Sequence, residues 1–372
     1  MSFAGLAGRM RLHPGAALPT IASSRPMQAA QLARGRPAAD LPGTLGALFT
    51  LCAHAHRGTA RRAVAAARGE RAVSSIEERT ALQAATAREQ ILRIAHDWHR
   101  LLPAAPAAEP VLLLRSCPLW RDALDPAEQL QALPVWLAHH WLSMPLAEWL
   151  RAHEADPSGW ALQWCAAAAT PPARLLRTQS SGMQALATPG RPLRLLDQPL
   201  ASMPRLAERL RTEPDFCAHP DWQGEPAETG PWTRTVDPVP LPLHNAWMRL
   251  IARFVDVLRL AAPQGRDWLA EGALPLAHGE AIAWTEMARG LLVHWVRLED
   301  SPSGPRVADC RVLAPTEWNF HPRGVLAQTL ATLHGPDRAG EAARAAVAFD
   351  PCVEFDIDSG IDCTPAMEPA HA

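Results

Sequence analysis

The chain has no lysine, no tyrosine, no Cys-x-x-Cys pair and no long uninterrupted apolar run. All 36 basic residues are therefore arginine, and chemistry through a lysine or tyrosine side chain is closed to it. Cysteines at 52, 117, 165, 217, 310, 352 and 363 make an odd set without paired spacing. That excludes a disulfide scaffold and fits reduced thiols in a cytoplasmic protein. Met1 to Ala30 carries scattered Arg, Pro and Gly and no apolar h-region, so no signal peptide is expected. The most apolar stretch, Ala132–Ala147, is interrupted by Pro134, His139, His140 and Pro145; it reads as buried helix or loop and not as a membrane span. Net charge is −2 with both signs interspersed, so no basic face for nucleic acid is implied.

What is present is material for a large core. At 372 residues and 48% hydrophobic, length alone would allow about two domains. Residues 1–42 are rich in Pro, Gly and Arg without a sustained period, so an irregular N-terminal segment with at most edge structure is expected. An Ala/Arg run from Gly58 to Arg68 favours helix. A longer helix is expected over Ser75–Leu102, capped by Ser75 with Glu78 as capping-box partner and with Ile91, Ile94, Trp98 and Leu102 at helical period. Residues 103–215 alternate Pro-punctuated loops with short helices such as Leu137–Trp149. Leu243, Trp247, Leu250, Ile251, Phe254 and Leu258 form a further apolar stripe. Leu291–Leu298 and Arg306–Leu313 read as strands joined by Ser301-Pro302-Ser303-Gly304. Short helices are expected over Val325–His334 and Arg338–Phe349. The order is that of a mainly helical α+β fold.

Two segments bracket the chain: Leu51-Cys52-Ala53-His54-Ala55-His56 and Asp350-Pro351-Cys352-Val353-Glu354-Phe355. Each resembles a metal motif of [NiFe]-hydrogenase large subunits from which one cysteine has been lost. Against Cys-x-x-Cys-x-x-x-His, Cys52 and His56 match and Phe49 replaces the first cysteine. Against Asp-Pro-Cys-x-x-Cys-x-x-His, Asp350, Pro351 and Cys352 match, while Phe355 and Asp358 replace the last cysteine and histidine. Four further segments resemble the same family, in the same order. They are His96-Asp97-Trp98-His99, Gly224 to Pro231 (Glu-x-Gly-Pro), Glu286-Met287-Ala288-Arg289-Gly290 (Glu-Ala-Pro-Arg-Gly) and Pro315-Thr316-Glu317-Trp318-Asn319 (Pro-Thr-Thr-Trp-Asn). The N-terminal Arg-x-Glu-Gly-His segment of the enzymes is barely recognisable in Gly8 to His13.

This pattern resembles the hydrogenase assembly proteins of the HupK/HoxV type from end to end. The resemblance implies a single hydrogenase-large-subunit-like domain over 43–372, with a helical core, a β-hairpin near 290–314 and a variable region at 103–215. It implies a non-catalytic, cytoplasmic scaffold that transiently carries an iron unit with two cyanides and one carbon monoxide, Fe(CN)2CO, and no nickel. A nickel–iron site needs four thiolates, and two remain. The implied metal ligands are Cys52 and Cys352. Arg289 and Thr316 are the implied cofactor-binding residues, donating to the cyanides. His56 and Asp350 stand behind them, Asp350 orienting Arg289. The implied partners are the maturation chaperones that build the iron centre and the hydrogenase large-subunit precursor, with no nucleic acid and no membrane.

Plainer readings apply elsewhere. Cys117, Cys165 and Cys310 read as small buried hydrophobes, Cys363 as an exposed tail residue, Cys217-Ala218-His219 as ordinary loop and Glu228 as a residue holding its own loop. Zinc at Cys52, His54 and His56 would lack a fourth ligand at familiar spacing. A metal-free protein that imitates the large subunit to dock maturation factors remains the competing function. An active hydrogenase is contradicted by Phe49 and Phe355.

Overall fold

Ser75 starts its helix as the local chemistry dictates. Its hydroxyl accepts the Glu78 N–H at 3.2 Å, and the Glu78 carboxylate accepts the Ser75 N–H at 2.9 Å. The structure, a computed structural model, describes residues 8–26, 29–104 and 113–358. The helix runs over Ile76–Leu92, passes through a π-turn at Arg93–Asp97 and continues over Trp98–Leu101. Two more helices pack around it. Ala246–Ala261 is buried on nearly every side and Arg338–Phe349 leads into the second cysteine segment. Asn245 caps the first of these by accepting the Met248 N–H at 3.1 Å, so Leu243 of the expected stripe lies ahead of the helix.

Four strands, β3 (Glu271–Ala277), β4 (Glu280–Met287), β5 (Gly290–Glu299) and β6 (Arg306–Leu313), form an antiparallel meander. Its second half is the expected hairpin. Side chains alternate across it. Ala281 and Ala283 face the Ala53–Ala67 helix, whose Ala60, Ala63 and Ala67 allow close approach. Ile282, Trp284, Val293 and Trp295 face the other way, onto Leu206 and Leu210 of the Pro199–Thr212 helix. A second sheet joins β1 (Met10–Leu12) antiparallel to β2 (Ile21–Ser23) and parallel to β7 (Phe355–Ile357). The N-terminal segment thus carries two short strands, because its few alternating apolar residues, Met10 and Leu12, find a partner at the far end of the chain.

One expected element is corrected. Leu137–Trp149 is not a single helix: the Pro126–Leu137 helix runs on through Leu142, Ser143 adopts φ 56°, and a new helix starts at Leu146. Pro145 disfavours helical backbone at Met144, which forces the break. The expectations for Cys363 and for the end of the chain lie outside the described residues. Among the described residues no helix is long and apolar enough to cross a membrane. The fold is α+β and mainly helical.

Candidate functional site

Asp350 closes the Arg338–Phe349 helix in left-handed backbone, φ 53°, and Pro351 prevents the helix from resuming. Its carboxylate is buried among three arginines. Arg93 Nε donates to Oδ1 at 2.6 Å, Arg253 Nη1 lies 3.1 Å from Oδ2, and Arg289 Nε lies 3.4 Å from the same oxygen. Burial alone would raise its pKa; Arg253, Arg289 and Arg93 more than offset this and hold it well below the usual carboxylate range. Arg93 comes from the π-turn, and its Nη2 also donates to the Pro351 carbonyl at 2.5 Å. The loop carrying Cys352 is therefore pinned on both sides of its proline.

Cys352 Sγ, half-buried, accepts from Arg25 Nη1 at 2.9 Å and from Thr316 Oγ1 at 3.1 Å. Arg25 Nη2 pairs with Glu317 Oε1 at 3.0 Å. Cys52 ends the single turn Thr50–Cys52 between the Leu41–Leu48 and Ala53–Ala67 helices. Its thiol is pushed up to about 12, first by burial and then by the nearby Cys352, with Arg289 and Arg25 pulling the other way. Two cysteines 300 positions apart thus share one electrostatic environment with Arg25 and Arg289. Cys352 also opens onto a surface groove of about 470 Å³ lined by Arg9, Leu51, Asp97, Arg100 and Glu354.

Arg289 occupies the two-residue turn between β4 and β5. It pairs with Glu89 and Asp350, yet its buried Nη2 has no hydrogen-bond partner. Gly290 follows at φ 127°, and a Cβ there would stand 2.6 Å from Thr229 Oγ1. That approach lets Thr229 Oγ1 accept the Leu291 N–H at 2.9 Å. Asn319 fastens the same place from the other side. Its Oδ1 accepts from Thr229 N at 2.8 Å, and its Nδ2 donates to Thr229 O at 2.8 Å and Phe349 O at 3.3 Å. Glu228 is held by Arg249 through two contacts of 2.8 and 2.6 Å.

His56 is fully buried, and its Nε2 has no hydrogen-bond partner. Its ring stacks on Phe49 at 4.1 Å and its Nδ1 meets His294 Nε2 at 3.1 Å. Burial, His294 and Arg25 hold its pKa well below the ordinary histidine value. His54 is exposed. Among the described residues no group of three or more His, Cys, Asp or Glu side chains is placed to hold a metal ion.

No family model matches the chain. It is 38% identical over 372 residues to the hydrogenase expression/formation protein HoxV of Cupriavidus necator, covering 95% of this chain and 96% of that one. With the hydrogenase expression/formation protein HupK of Bradyrhizobium diazoefficiens it shares 31% identity, covering 88% and 89%. The chain belongs to the HoxV/HupK family of hydrogenase expression/formation proteins. Its fold is that of hydrogenases. The Ni-Fe-Se hydrogenase of D. vulgaris Hildenborough superposes with a TM-score of 0.52 at 16% identity, over 89% of this chain and 92% of that one. An NAD+-reducing [NiFe]-hydrogenase gives 0.50 at 14% identity, over 87% and 90%.

Within this HoxV/HupK chain, the residues at the lost positions have other contacts. Phe49 covers the His56 ring, and Phe355 begins β7, paired with Met10. The Asp358 N–H bonds to Leu12 O at 2.8 Å, and its carboxylate lies 3.3 Å from His13 Nδ1. Sequence reasoning missed Arg25, Glu89, Arg93, Arg253, His294 and Glu317. Arg253 had a signal, since Arg249, Arg253, Asp256 and Arg259 are the charged residues of a helix whose remaining side chains are all apolar. Glu317 departs from the resembled Thr beside Thr316. Arg25 had none.

Proposed function

We propose that the protein is a non-catalytic carrier for the Fe(CN)2CO unit during large-subunit maturation, with Cys52 and Cys352 as the iron ligands. The observation that carries this reading is the convergence of both thiols, from opposite ends of the chain, beside Thr316 and the Arg289 guanidinium with its unpartnered nitrogen. The residues fit the cargo. An iron already holding three diatomic ligands needs few protein donors, so two thiolates serve. The cyanide nitrogens are anionic acceptors for Arg289, and charge-assisted bonds of this kind are roughly twice as strong as neutral ones. With cargo bound, the Thr316 hydroxyl turns its one proton from Cys352 Sγ to the second cyanide. Loading must strip the Cys52 thiol of its proton, so binding releases protons and strengthens as pH rises. Two thiolates leave nickel without its four sulfurs, so no nickel is bound. The groove beside Cys352 is the route by which the maturation chaperones that build the iron centre, and then the large-subunit precursor, reach the cargo.

A metal-free docking protein is the second reading, favoured by a specific observation. Asn319, Glu228 and Gly290 hold the fold together, so those matched segments would persist without any cargo. Infrared spectra of protein purified anaerobically after production with the maturation machinery separate the two. The carrier shows cyanide and carbonyl stretches with iron above background. Iron at background and no such bands leave the docking reading.

A further inference from the structure

We infer that Gln90 is a positioning residue for Arg289: it ties together the buried network that fixes the β4–β5 turn and so aims the guanidinium at the cargo, whose identity rests on the carrier reading above. Gln90 lies on the Ile76–Leu92 helix and is fully buried. Both ends of its amide are engaged. Oε1 accepts from Arg253 Nη1 at 2.7 Å, and Nε2 donates to Asp256 Oδ2 at 2.7 Å and to the Ala288 carbonyl at 2.9 Å. The amide has one workable orientation. Turned over, it would set its oxygen against a carboxylate and a carbonyl, which only accept, and its N–H groups against a guanidinium, which only donates.

What the amide holds is the backbone one residue ahead of Arg289. Ala288 O accepts a second bond, from Arg253 Nη1 at 2.9 Å. The carbonyl before it, Met287 O, accepts from Arg234 Nη2 at 2.8 Å. Arg234 is held in turn by Asp256, at 3.1 Å from its Nε and 3.2 Å from its Nη2, and Asp256 also accepts from Trp268 Nε1 at 2.7 Å. Gln90 thus joins Arg253 to the Arg234–Asp256 pair at the turn itself. The resembled segment has proline where Ala288 stands, and a proline fixes its own φ. Ala288 has no such constraint, so the turn takes its fixity from these bonds. Past the turn, Thr229 Oγ1 accepts the Leu291 N–H, so Arg289 is anchored on both sides. Its side chain reaches Glu89, the neighbour of Gln90, and Asp350, while its Nη2 stays unpartnered. Hydrogen bonds weaken steeply with misalignment, so that free nitrogen serves a cyanide only if the turn beneath it is held in one place. Gln83, about two helical turns earlier, does the same work elsewhere: its Nε2 donates to the Leu260 carbonyl at 2.6 Å, near the far end of the Ala246–Ala261 helix.

The test pairs Gln90→Met with Gln83→Met in the full chain, each variant removing one buried amide from the same helix. Cargo-free protein is read by hydrogen–deuterium exchange. The amides of residues 287–291 should exchange at least about tenfold faster in Gln90→Met than in the wild type, and at the wild-type rate in Gln83→Met. Protein produced with the maturation machinery is read by infrared spectroscopy. The cyanide stretches should shift or be lost in Gln90→Met and stay in place in Gln83→Met. A folded Gln90→Met protein with wild-type exchange in the turn, or with wild-type cyanide bands, overturns the inference, and so does an equal response in Gln83→Met. Should Gln90→Met not fold, Gln90→Glu decides, since it keeps the shape but turns an oxygen toward Asp256 and Ala288 O. Both readouts should move in the same sense, and wild-type values overturn the inference. The exchange readout involves no iron, so an absence of cyanide bands in the wild type would end the carrier reading while exchange still decides whether Gln90 holds the turn.

Discussion

Cys52 and Cys352 differ from the remaining described thiols in what surrounds their sulfurs. Cys165 donates to the Leu162 carbonyl at 3.3 Å inside the helical core. Cys310 is sealed between β6 and the Ala53–Ala67 helix, its thiol pushed up to about 12 by burial and by Asp309 and Cys217. Arg177 and Arg311 lie near these two thiols, but Cys352 is the one that accepts a hydrogen bond from a guanidinium, that of Arg25. Replacing Cys52 or Cys352 by Ser should therefore lower iron retention of co-produced protein about tenfold or more, toward background. Cys165→Ser and Cys310→Ser should keep their iron while losing about 1–3 kcal/mol of stability from burying a hydroxyl. Metal analysis beside thermal melts checks this. Equal iron losses in all four variants would mean that the effect is folding and not ligation.

At the scale of elements, the matched segments form a clamp. The 228–231 loop, the β4–β5 turn, the Pro315–Asn319 turn and the end of the Arg338–Phe349 helix meet around Thr229 and Asn319. Asn319→Ala would leave Thr229 N, Thr229 O and Phe349 O buried without that partner, at a cost of about 2–4 kcal/mol. A urea midpoint unchanged to within about 0.5 kcal/mol would show that the clamp does not bear on stability. The elements themselves were legible in the sequence wherever their cause is local. Ser75 and Glu78 are three residues apart, and the hairpin turn at 301–304 is spelled in Ser, Pro and Gly. The break at Ser143 had a local signal in Pro145, which was outweighed in the reading by the apolar character that Leu137–Trp149 keeps straight through it. The short sheet was hidden for another reason: β1 and β7 pair across some 345 positions, and no local period encodes that. Arg25 and Arg93 were missed on the same ground, since their partners lie 327 and 257 positions away. Cys52, Cys352, Arg289 and Thr316 could be named from motif context; only the fold brings them to one place.

Across the whole molecule, the native state shields ionisable groups that the unfolded chain exposes, and the histidines set the direction of its acid response. His56 and His294 face each other in the sheet core and stay neutral. Burial is the main cause for both, and His294 is held down to about 3. In the unfolded chain each would take up a proton near pH 6.5. Below that pH the unfolded state binds more protons than the native one, so stability falls as pH drops, by up to about 1.4 kcal/mol per unit for each histidine, until the native pKa is reached. Asp350 acts in the same direction but later. Its depressed native pKa contributes stability above the unfolded value near 3.9, which is lost only as pH falls below that. Glu286, raised by burial to about 7, takes up its proton in the native state over the same range and opposes this loss, while His153 and His321, each lowered by burial to about 4, add to it. Denaturant midpoints should therefore decline between pH 6.5 and 5, where the histidines outnumber that one carboxylate. His294→Gln, which can keep the hydrogen bond to His56 but cannot titrate, should flatten that decline by about the share of one histidine. Identical slopes for wild type and His294→Gln between pH 6 and 5 would show that the pair does not govern the acid response.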